Sequence, residues 1–358
     1  MTKQLTIAVS GLSRGESVQP GPAVINSIRR AYPAIKIVGL SYDPFESGLY
    51  STHADHVDAA YLMPYPTKGP SILLERLDEI GKTCPLDMIV PCLDTEIPNY
   101  IELHTELKQR GIKLPLVTQT MFNRRDKQNL AKLGKAAKVR VPRTEIADTL
   151  EDLRDCCGAI GFPVFVKGKM YGGAKANTPM EAVQIYRSLI AAWGGPVIIQ
   201  AAIDREDEYG VVGLGDGKGN IVGSCTVRKI VVTATGKTFG GLVVNNPHLD
   251  EYVQRIVKTL KWYGPFDLEF IKNDDGYFLI EMNPRFPAWV DFPSQIDCNL
   301  PAALVAMLHS DLPPPVIKPC AAGKLFMRHC YDLVGDISQI AAMTNTTGVK
   351  NVFAASYQ

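Results

Sequence analysis

Net charge is nearly absent from this chain. Its 38 Lys and Arg offset 37 Asp and Glu, leaving +1. Bulk electrostatics therefore argue for neither a nucleic-acid nor an anionic-membrane partner. Cysteine is present but unorganised. Eight are scattered and only Cys156 and Cys157 adjoin, with no Cys-x-x-Cys and no Cys/His ligand spacing. Reduced, mostly buried thiols in a cytoplasmic protein follow. The N-terminus runs straight into Ile7-Ala8-Val9 without a signal-type apolar region, and no segment approaches a membrane-spanning length. Internal repeats and low-complexity tracts are missing too. Glycines at 11, 15 and 21 do not make Gly-x-Gly-x-x-Gly, which counts against a Rossmann oxidoreductase. What is left is an ordinary composition, 46% hydrophobic and 21% charged, over 358 residues. That length holds two or three lobes with ample core.

The most informative stretch is Tyr277-Phe278-Leu279-Ile280-Glu281-Met282-Asn283-Pro284-Arg285-Phe286. It opens as a buried strand. Glu281, Asn283 and Arg285 then occupy alternate positions, so they project from one face, and Pro284 ends the ladder. A carboxylate and an amide oxygen beside a planar cation suit a magnesium–phosphate site. Upstream, Pro265–Ile271 alternates in the same way, and Asn273-Asp274-Asp275-Gly276 reads as a tight turn. Hairpin pairing sets Glu269 beside Glu281. The competing reading is a half-exposed hairpin with solvated acids.

The chain opens as β-α-β, with strands at Leu5–Ser10 and Ile35–Leu40 around a helix at Ala23–Ala31. Asp87–Pro91 is a further buried strand, followed by Cys92-Leu93-Asp94-Thr95-Glu96. Loops at strand C-termini bind ligands in α/β sheets, so Asp94 and Glu96 are candidate substrate contacts. An N-cap and first-turn acid of a helix over Ile97–Arg110 explain them equally well. Lys167 emerges from the apolar run Val164-Phe165-Val166, and Gly172-Gly173 follow in a loop whose freed N–H groups suit phosphates. A surface hairpin with solvated lysines is the alternative. Arg228 and Lys229 adjoin on one strand, so at most one enters a site; Arg228 is preferred for phosphate or acyl-phosphate contact. After Arg285, Trp289 and Asp291 are either acceptor-substrate residues or a core side chain and a helix cap.

At these residues the chain resembles the ATP-grasp superfamily, most closely its carbamoyl-phosphate-synthetase-like branch. There a hairpin ends in Glu-x-Asn-x-Arg, and an acid or amide on the preceding strand completes the metal site. Gly161-Phe162-Pro163-Val164-Phe165-Val166-Lys167 looks like the family's Phe-Pro-x-x-x-Lys, and Asp126-Lys127 like its Asp-Lys. The likeness covers nearly the whole chain and weakens after about Pro313. It implies an α/β fold with α+β lobes: an N-terminal doubly wound, pre-ATP-grasp domain over 1–118, an ATP-grasp small lobe with a glycine flap over 119–202, and a large lobe with the metal site and a C-terminal extension over 203–358. The implied cofactors are ATP and one or two Mg²⁺ ions, with Mn²⁺ as a substitute. Lys127 and Lys167 would reach phosphates, Gly172 and Gly173 would close as the flap, and Gln200 carbonyl and Ala202 N–H would meet the adenine edge. Glu208 would hold the ribose, with Glu206 as the fallback. Glu269, Glu281 and Asn283 would hold metal, and Arg285, Lys167 and Arg228 would act in catalysis. The flap is shorter and less glycine-rich than the family's, and Gln200 stands where Glu is common.

The implied activity is that of a carboxylate–amine ligase, joining small-molecule substrates through an acyl-phosphate and releasing ADP and phosphate. A homodimer is the oligomer this reading allows. One alternative is a bicarbonate-activating carboxylase or carbamoyl-phosphate-like enzyme, against which only one grasp unit and no glutaminase or biotin segment are visible. The other is an ATP-binding protein without catalysis, which the thinned flap favours and the intact metal and lysine positions oppose.

Overall fold

The computed structural model describes residues 4–14, 18–169, 172–204, 207–234, 236–344 and 349–350, and their strands form three sheets. β1 (Thr6–Ser10) is buried at every position, as a strand covered on both faces must be. α1 (Gly21–Ala31) follows it and opens with Pro22 in its first turn, where proline's missing N–H is harmless. β2 (Lys36–Ser41) and β3 (Ala59–Leu62) extend the sheet in parallel on one side. After α2 (Pro70–Thr83), β4 (Met88–Val90) pairs parallel to β1 on the other side. The stretch read as one helix is two, α3 (Ile97–Glu102) and α4 (His104–Gln109), broken at Leu103. α5 (Gln119–Arg124) and α6 (Leu130–Ala137) lead to the next sheet, with a 3₁₀ turn at Lys127–Asn129 between them.

The second sheet contains β5 (Thr144–Ala147), β6 (Val164–Gly168), β7 (Gly173–Ala176) and β8 (Val197–Ala201), antiparallel in the order β5-β8-β6-β7. α7 (Leu150–Ile160) and α8 (Pro179–Trp193) cover it. Thr149 and Asp152 close a capping box on α7, and Thr178 caps α8.

The third sheet begins with the long strands β9 (Asp207–Asp216), β10 (Ile221–Val232) and β11 (Thr238–Val243). α9 (Pro247–Leu260) precedes the hairpin β12 (Tyr263–Asn273) and β13 (Gly276–Asn283). Then come α10 (Asp291–Ser294), α11 (Leu300–Leu308) and the edge strand β14 (Leu325–Met327), giving the order β13-β12-β9-β10-β11-β14. Gly213 is required here because the Phe266 ring lies where any Cβ would sit. α12 (Ile337–Thr344) and β15 (Val349–Lys350) return to the first sheet, where β15 pairs antiparallel with β3.

The cores explain how these parts move together. One continuous apolar cluster runs from Ile7, Val9 and Val24 through Val212, Val227 and Phe286 to Leu300 and Leu304. A second joins Leu40 and Ile89 to Leu249, Trp262 and Phe266. The first and third sheets are therefore packed as one mass. Asn299 Nδ2 donates to the Ser27 carbonyl (2.7 Å) and Ser294 Oγ to Ser27 Oγ (2.9 Å), tying α1 to the helices after the hairpin. The second sheet has its own core around Leu153, Val164, Val166, Leu189 and Ile199. No helix among the described residues is long and apolar enough to cross a membrane.

Glu96 belongs to the fold and not to a substrate site. It is fully buried. One oxygen accepts from Ser10 Oγ and from the N–H groups of Cys92 (2.9 Å) and Leu93 (3.0 Å), and the other accepts from Tyr42 Oη (2.6 Å). Nor does its side chain cap α3. It instead ties together the loops leaving β1, β2 and β4, and burial pushes its carboxyl up from the ordinary range. Glu96→Ala would leave these buried donors unsatisfied, so a loss of roughly 3 kcal/mol or more is expected in urea unfolding. Glu96→Gln, which keeps one acceptor oxygen, should lose less. Unchanged stability with weakened substrate binding would restore the substrate role.

Candidate active site

The β12–β13 hairpin turns through Asp274 and Asp275, with Gly276 at φ +116°, a conformation that favours glycine. From the turn, Asn273 pairs with Gly276 and Phe270 with Leu279. Unbroken, that register would set Glu269 opposite Ile280. It shifts between Glu269 and Phe270, leaving Ile280 as an extra residue. Glu269 consequently faces Glu281, and Asp267 faces Asn283. Glu208 and Lys229 lie on the same face of the neighbouring strands.

Two carboxylates directly opposed on a sheet repel each other, and cations surround these. Lys127 Nζ lies 3.0 Å from Glu281 Oε1. Lys229 Nζ lies 2.9 Å from Glu269 Oε2 and 3.4 Å from Glu208 Oε2. Burial works against the Glu281 charge, but Lys127 and then Lys167 outweigh it and hold its pKa below the usual value. Burial likewise opposes the Lys229 charge, and Glu269 and Glu208 overcome it, raising the pKa. Asp267 is less well compensated. Burial, then Glu269, push it up to about 7, although Arg285 and Lys229 pull the other way. Asn283 Nδ2 donates to Asp267 Oδ2 (3.2 Å).

Lys167 reaches this face from the second sheet. It donates to Gln200 Oε1 (2.8 Å), and Gln200 Nε2 donates to Thr144 Oγ1 (3.1 Å). The partner is a neutral amide. Burial, with Lys127 nearby, lowers the Lys167 ammonium to about 8, despite the attraction of Glu281 and Glu269.

Arg285 marks the junction with the first sheet. Its Nε donates to Asp94 Oδ2 (3.0 Å), and Nη1 lies 3.5 Å from Asp267 Oδ2. Asp94 thus meets the site through Arg285. Two further cations share this corner. Lys237 is held below its ordinary pKa by burial and then by the positive charges of Arg285 and Arg328. Burial draws Arg328 down to about 10, and its Nη2 is buried with no hydrogen-bond partner among the described residues. Clustered cations with an unpartnered guanidinium nitrogen form a receptor for an anion. Asp267, Lys237 and Arg328 were not among the residues singled out from sequence, and Lys229 stood there as the alternative to Arg228. Period-2 alternation with Glu269 would have marked Asp267. Nothing local marks Arg328, which enters only because β14 pairs with β11.

Several expected placements differ. Arg228 is on the opposite side of β10 from Lys229, 3.5 Å from Asp207. Pairing with β9 sets that register, and Lys229 is the residue that enters. Ala202 N–H is donated to the Pro163 carbonyl (3.1 Å) and Ala201 N–H to the Arg143 carbonyl (2.8 Å). Gln200 sits inside the ladder, between Thr144 and Phe165. The first hinge N–H not engaged in these strand pairs is therefore that of Ile203. Gly172 and Gly173 shape the β6–β7 turn: a Cβ on Gly173 would strike the Val166 carbonyl, and one on Gly172 would touch Leu189. Trp289 is buried and stacks on Phe326 at 6.1 Å. Asp291 turns to α1, accepting from Ser27 Oγ (3.1 Å) and from Gln295 Nε2 (2.7 Å). The chain after Arg285 packs against α1 instead of entering the cleft. Glu206 lies outside the described residues.

Glu269, Glu281 and Asn283 are hard oxygen ligands converging from one hairpin, a donor set that fits Mg²⁺. Among the described residues no three His, Cys, Asp or Glu groups are placed to hold an ion by themselves. Two carboxylates and an amide are nonetheless what magnesium needs when phosphate and water oxygens complete its shell.

Residues 126–290 match the family described as the carbamoyl-phosphate synthase L chain, ATP binding domain. The carbamoyl phosphate synthase large chain of Thermotoga neapolitana is 26% identical over 271 residues, which is 72% of this chain and 24% of the relative. That of Sulfurisphaera tokodaii is 23% identical over 311 residues, covering 82% of this chain and 28% of the relative. The chain thus spans about a quarter of the length of these relatives. Among solved structures, the biotin carboxylase domain of Hydrogenobacter thermophilus 2-oxoglutarate carboxylase superposes with a TM-score of 0.67 at 17% identity, over 89% of this chain and 73% of that one. That structure is a complex with MgADP, ADP and bicarbonate. An L-amino acid ligase from Bacillus licheniformis gives 0.65 at 14% identity, over 86% of this chain and 75% of that one. Over residues 126–290 the chain is thus similar to the ATP-binding domain of carbamoyl phosphate synthase large chains, and its fold is similar to those of the biotin carboxylase domain and the L-amino acid ligase.

Proposed function

We propose that the chain is an ATP-dependent ligase that activates a carboxylate as an acyl-phosphate and couples it to an amine, releasing ADP and phosphate. The observation that carries this reading is the juxtaposition of two sites. The carboxylate face of Glu269, Glu281 and Asn283 adjoins the cationic corner of Arg285, Lys237 and Arg328. Nucleotide phosphates held at the first lie beside an anionic acceptor held at the second. The first sheet, with its parallel order β3-β2-β1-β4, serves as the pre-ATP-grasp domain that walls the acceptor side.

Mg²⁺ held by Glu269, Glu281 and Asn283 would neutralise charge on the transferring phosphoryl group. Lys127 and Lys167 bind the phosphates from the opposite side. Glu208 orients the ribose, and hinge backbone from Ile203 onward meets the adenine edge. Arg285, steadied by Asp94, positions the acceptor carboxylate in line with the γ-phosphate. Its oxygen attacks phosphorus, ADP leaves, and an amine then displaces phosphate from the acyl carbon. A panel of amino acids, dipeptides and small acids, with and without bicarbonate, tested for ADP release with Mg·ATP, examines the proposal. Release that needs bicarbonate alone would favour the carboxylase alternative. No release with any acid would favour a binding protein.

Three results should follow. Glu281→Gln keeps the side-chain shape but removes the carboxylate, so ADP release should vanish while the melting temperature holds; near-normal turnover would refute the metal assignment. On Lys167 the sign is fixed by its lowered pKa of about 8. Below that pH the ammonium is charged, and as pH rises through it the cation and its phosphate contact are lost. Calorimetric ADP affinity should be flat near neutrality and fall above pH 8, by up to roughly 10- to 150-fold in all. Lys167→Arg should abolish the decline, and an equal decline in that variant would show that Lys167 is not its source. Finally, Lys229→Met should weaken Mg·ADP binding strongly and Arg228→Ala little; the reverse ranking would mean that β10 presents its other face.

A further inference from the structure

Three thiols lie together elsewhere on the large lobe. Cys225 is on β10, four residues before Lys229, and is buried, as is Cys298 in the loop before α11. Cys320 is only partly buried. It packs against the apolar cluster that contains both Cys225 and Cys298. The Cys298 Sγ also approaches the Ser224 carbonyl at 3.8 Å, next to Cys225.

Cys320 ends a strap that follows α11 and is seated at several points. Tyr32 Oη donates to the Pro313 carbonyl (2.7 Å). Ile317 occupies the space where a Cβ on Gly223 would sit. Lys318 N–H donates to the Asp297 carbonyl (3.0 Å), and Lys318 Nζ pairs with Asp297 Oδ2 at 3.1 Å. The strap is thus pinned beside Cys298, with Cys320 at the boundary between solvent and core. These thiols do not form a metal cluster among the described residues.

We propose that Cys320 is an oxidant-sensitive thiol that forms a disulfide with Cys298 when the protein meets a peroxide. The Cys320 thiolate attacks hydrogen peroxide. An S–O bond forms, the O–O bond breaks, and the departing hydroxide takes a proton to give water. The Cys298 sulfur then attacks the sulfenic sulfur. The S–S bond forms, and hydroxide leaves with the Cys298 proton as a second water. Two thiols are oxidised and one peroxide is reduced. Access fits the order of steps, since Cys320 alone of the three is partly exposed. Contacts from Cys225 and Cys298 hold the Cys320 pKa below the usual thiol range, and they hold the other two above it. Cys298 is the resolving partner because it lies in a loop that can yield as the sulfurs close to about 2.05 Å. Cys225 is fixed within a strand, in register with Val212 of β9.

The test treats the full chain with a few equivalents of hydrogen peroxide, then maps peptides under non-reducing conditions and records thermal unfolding. A Cys298–Cys320 peptide, two hydrogens lighter than its parts, is expected. The crosslink closes the strap's loop, so the melting temperature should rise by roughly 2 °C or more and fall back with dithiothreitol. Cys320→Ser should melt like the reduced protein and lose both responses. Oxidation of Cys320 to the sulfinic acid with Cys298 intact, a Cys320–Cys225 link, or an unmodified Cys320 beside oxidised Cys330 would each overturn the proposal. Peptide mapping of the unaltered chain decides these outcomes even if the variant fails to fold.

Discussion

Two carboxylates facing each other across one hairpin are the constraint around which the site is arranged. Glu269 and Glu281 are register partners, and like charges so placed destabilise a sheet. Lys127, Lys167 and Lys229 answer them from three different parts of the chain: a turn between helices, the second sheet and β10. Lys127 and Lys229 are held by the same negative face that a divalent cation would occupy, and Lys167 stands near it on Gln200. The electrostatic need of the bare hairpin and the proposed affinity for Mg·ATP would have one origin.

That arrangement depends on how the lobes are joined. The first and third sheets share apolar cores, so Asp94, Arg285 and the hairpin keep fixed relative positions. The second sheet packs around its own core and contributes Lys167, whose ammonium is held by Gln200 of the same sheet and attracted by Glu281 and Glu269. A separate core lets a lobe change its angle without repacking its neighbour. The partner of Lys167 is an amide, Gln200, where family members often carry a carboxylate. Burial lowers the ammonium to about 8, and a neutral amide adds no charge to offset it.

In the proposed reaction Arg285 links nucleotide and acceptor chemistry. Its guanidinium touches an acid of the first sheet's loops and an acid of the β12–β13 hairpin; burial opposes its charge, and the acids outweigh that and raise its pKa. Lys237 and Arg328 crowd the same corner, where an anion would relieve their mutual repulsion. The proposed acceptor site therefore draws on the ends of β11 and β14 and not on the segment after Arg285, whose Trp289 and Asp291 are engaged with Phe326 and α1.

Alternation along two strands and a turn sequence were enough to read the hairpin, its acids and Arg285 from the chain, because those signals are local and their periods are set by backbone geometry. Buried apolar runs likewise marked β1, β2, β4 and β6. Other features depended on pairing between distant segments. Glu269 meets Glu281 only because a bulge at Ile280 shifts the register. Lys229, not Arg228, enters the site because β9 sets the face of β10. Ala202 is unavailable to a nucleotide because Pro163 already accepts its N–H. Glu96 is a tie between loops because three strand ends converge on it. The sequence by itself determined which residues could carry the chemistry. Tertiary structure alone decided which of them share a face, since a strand's two faces are equivalent until a neighbouring strand and a core distinguish them.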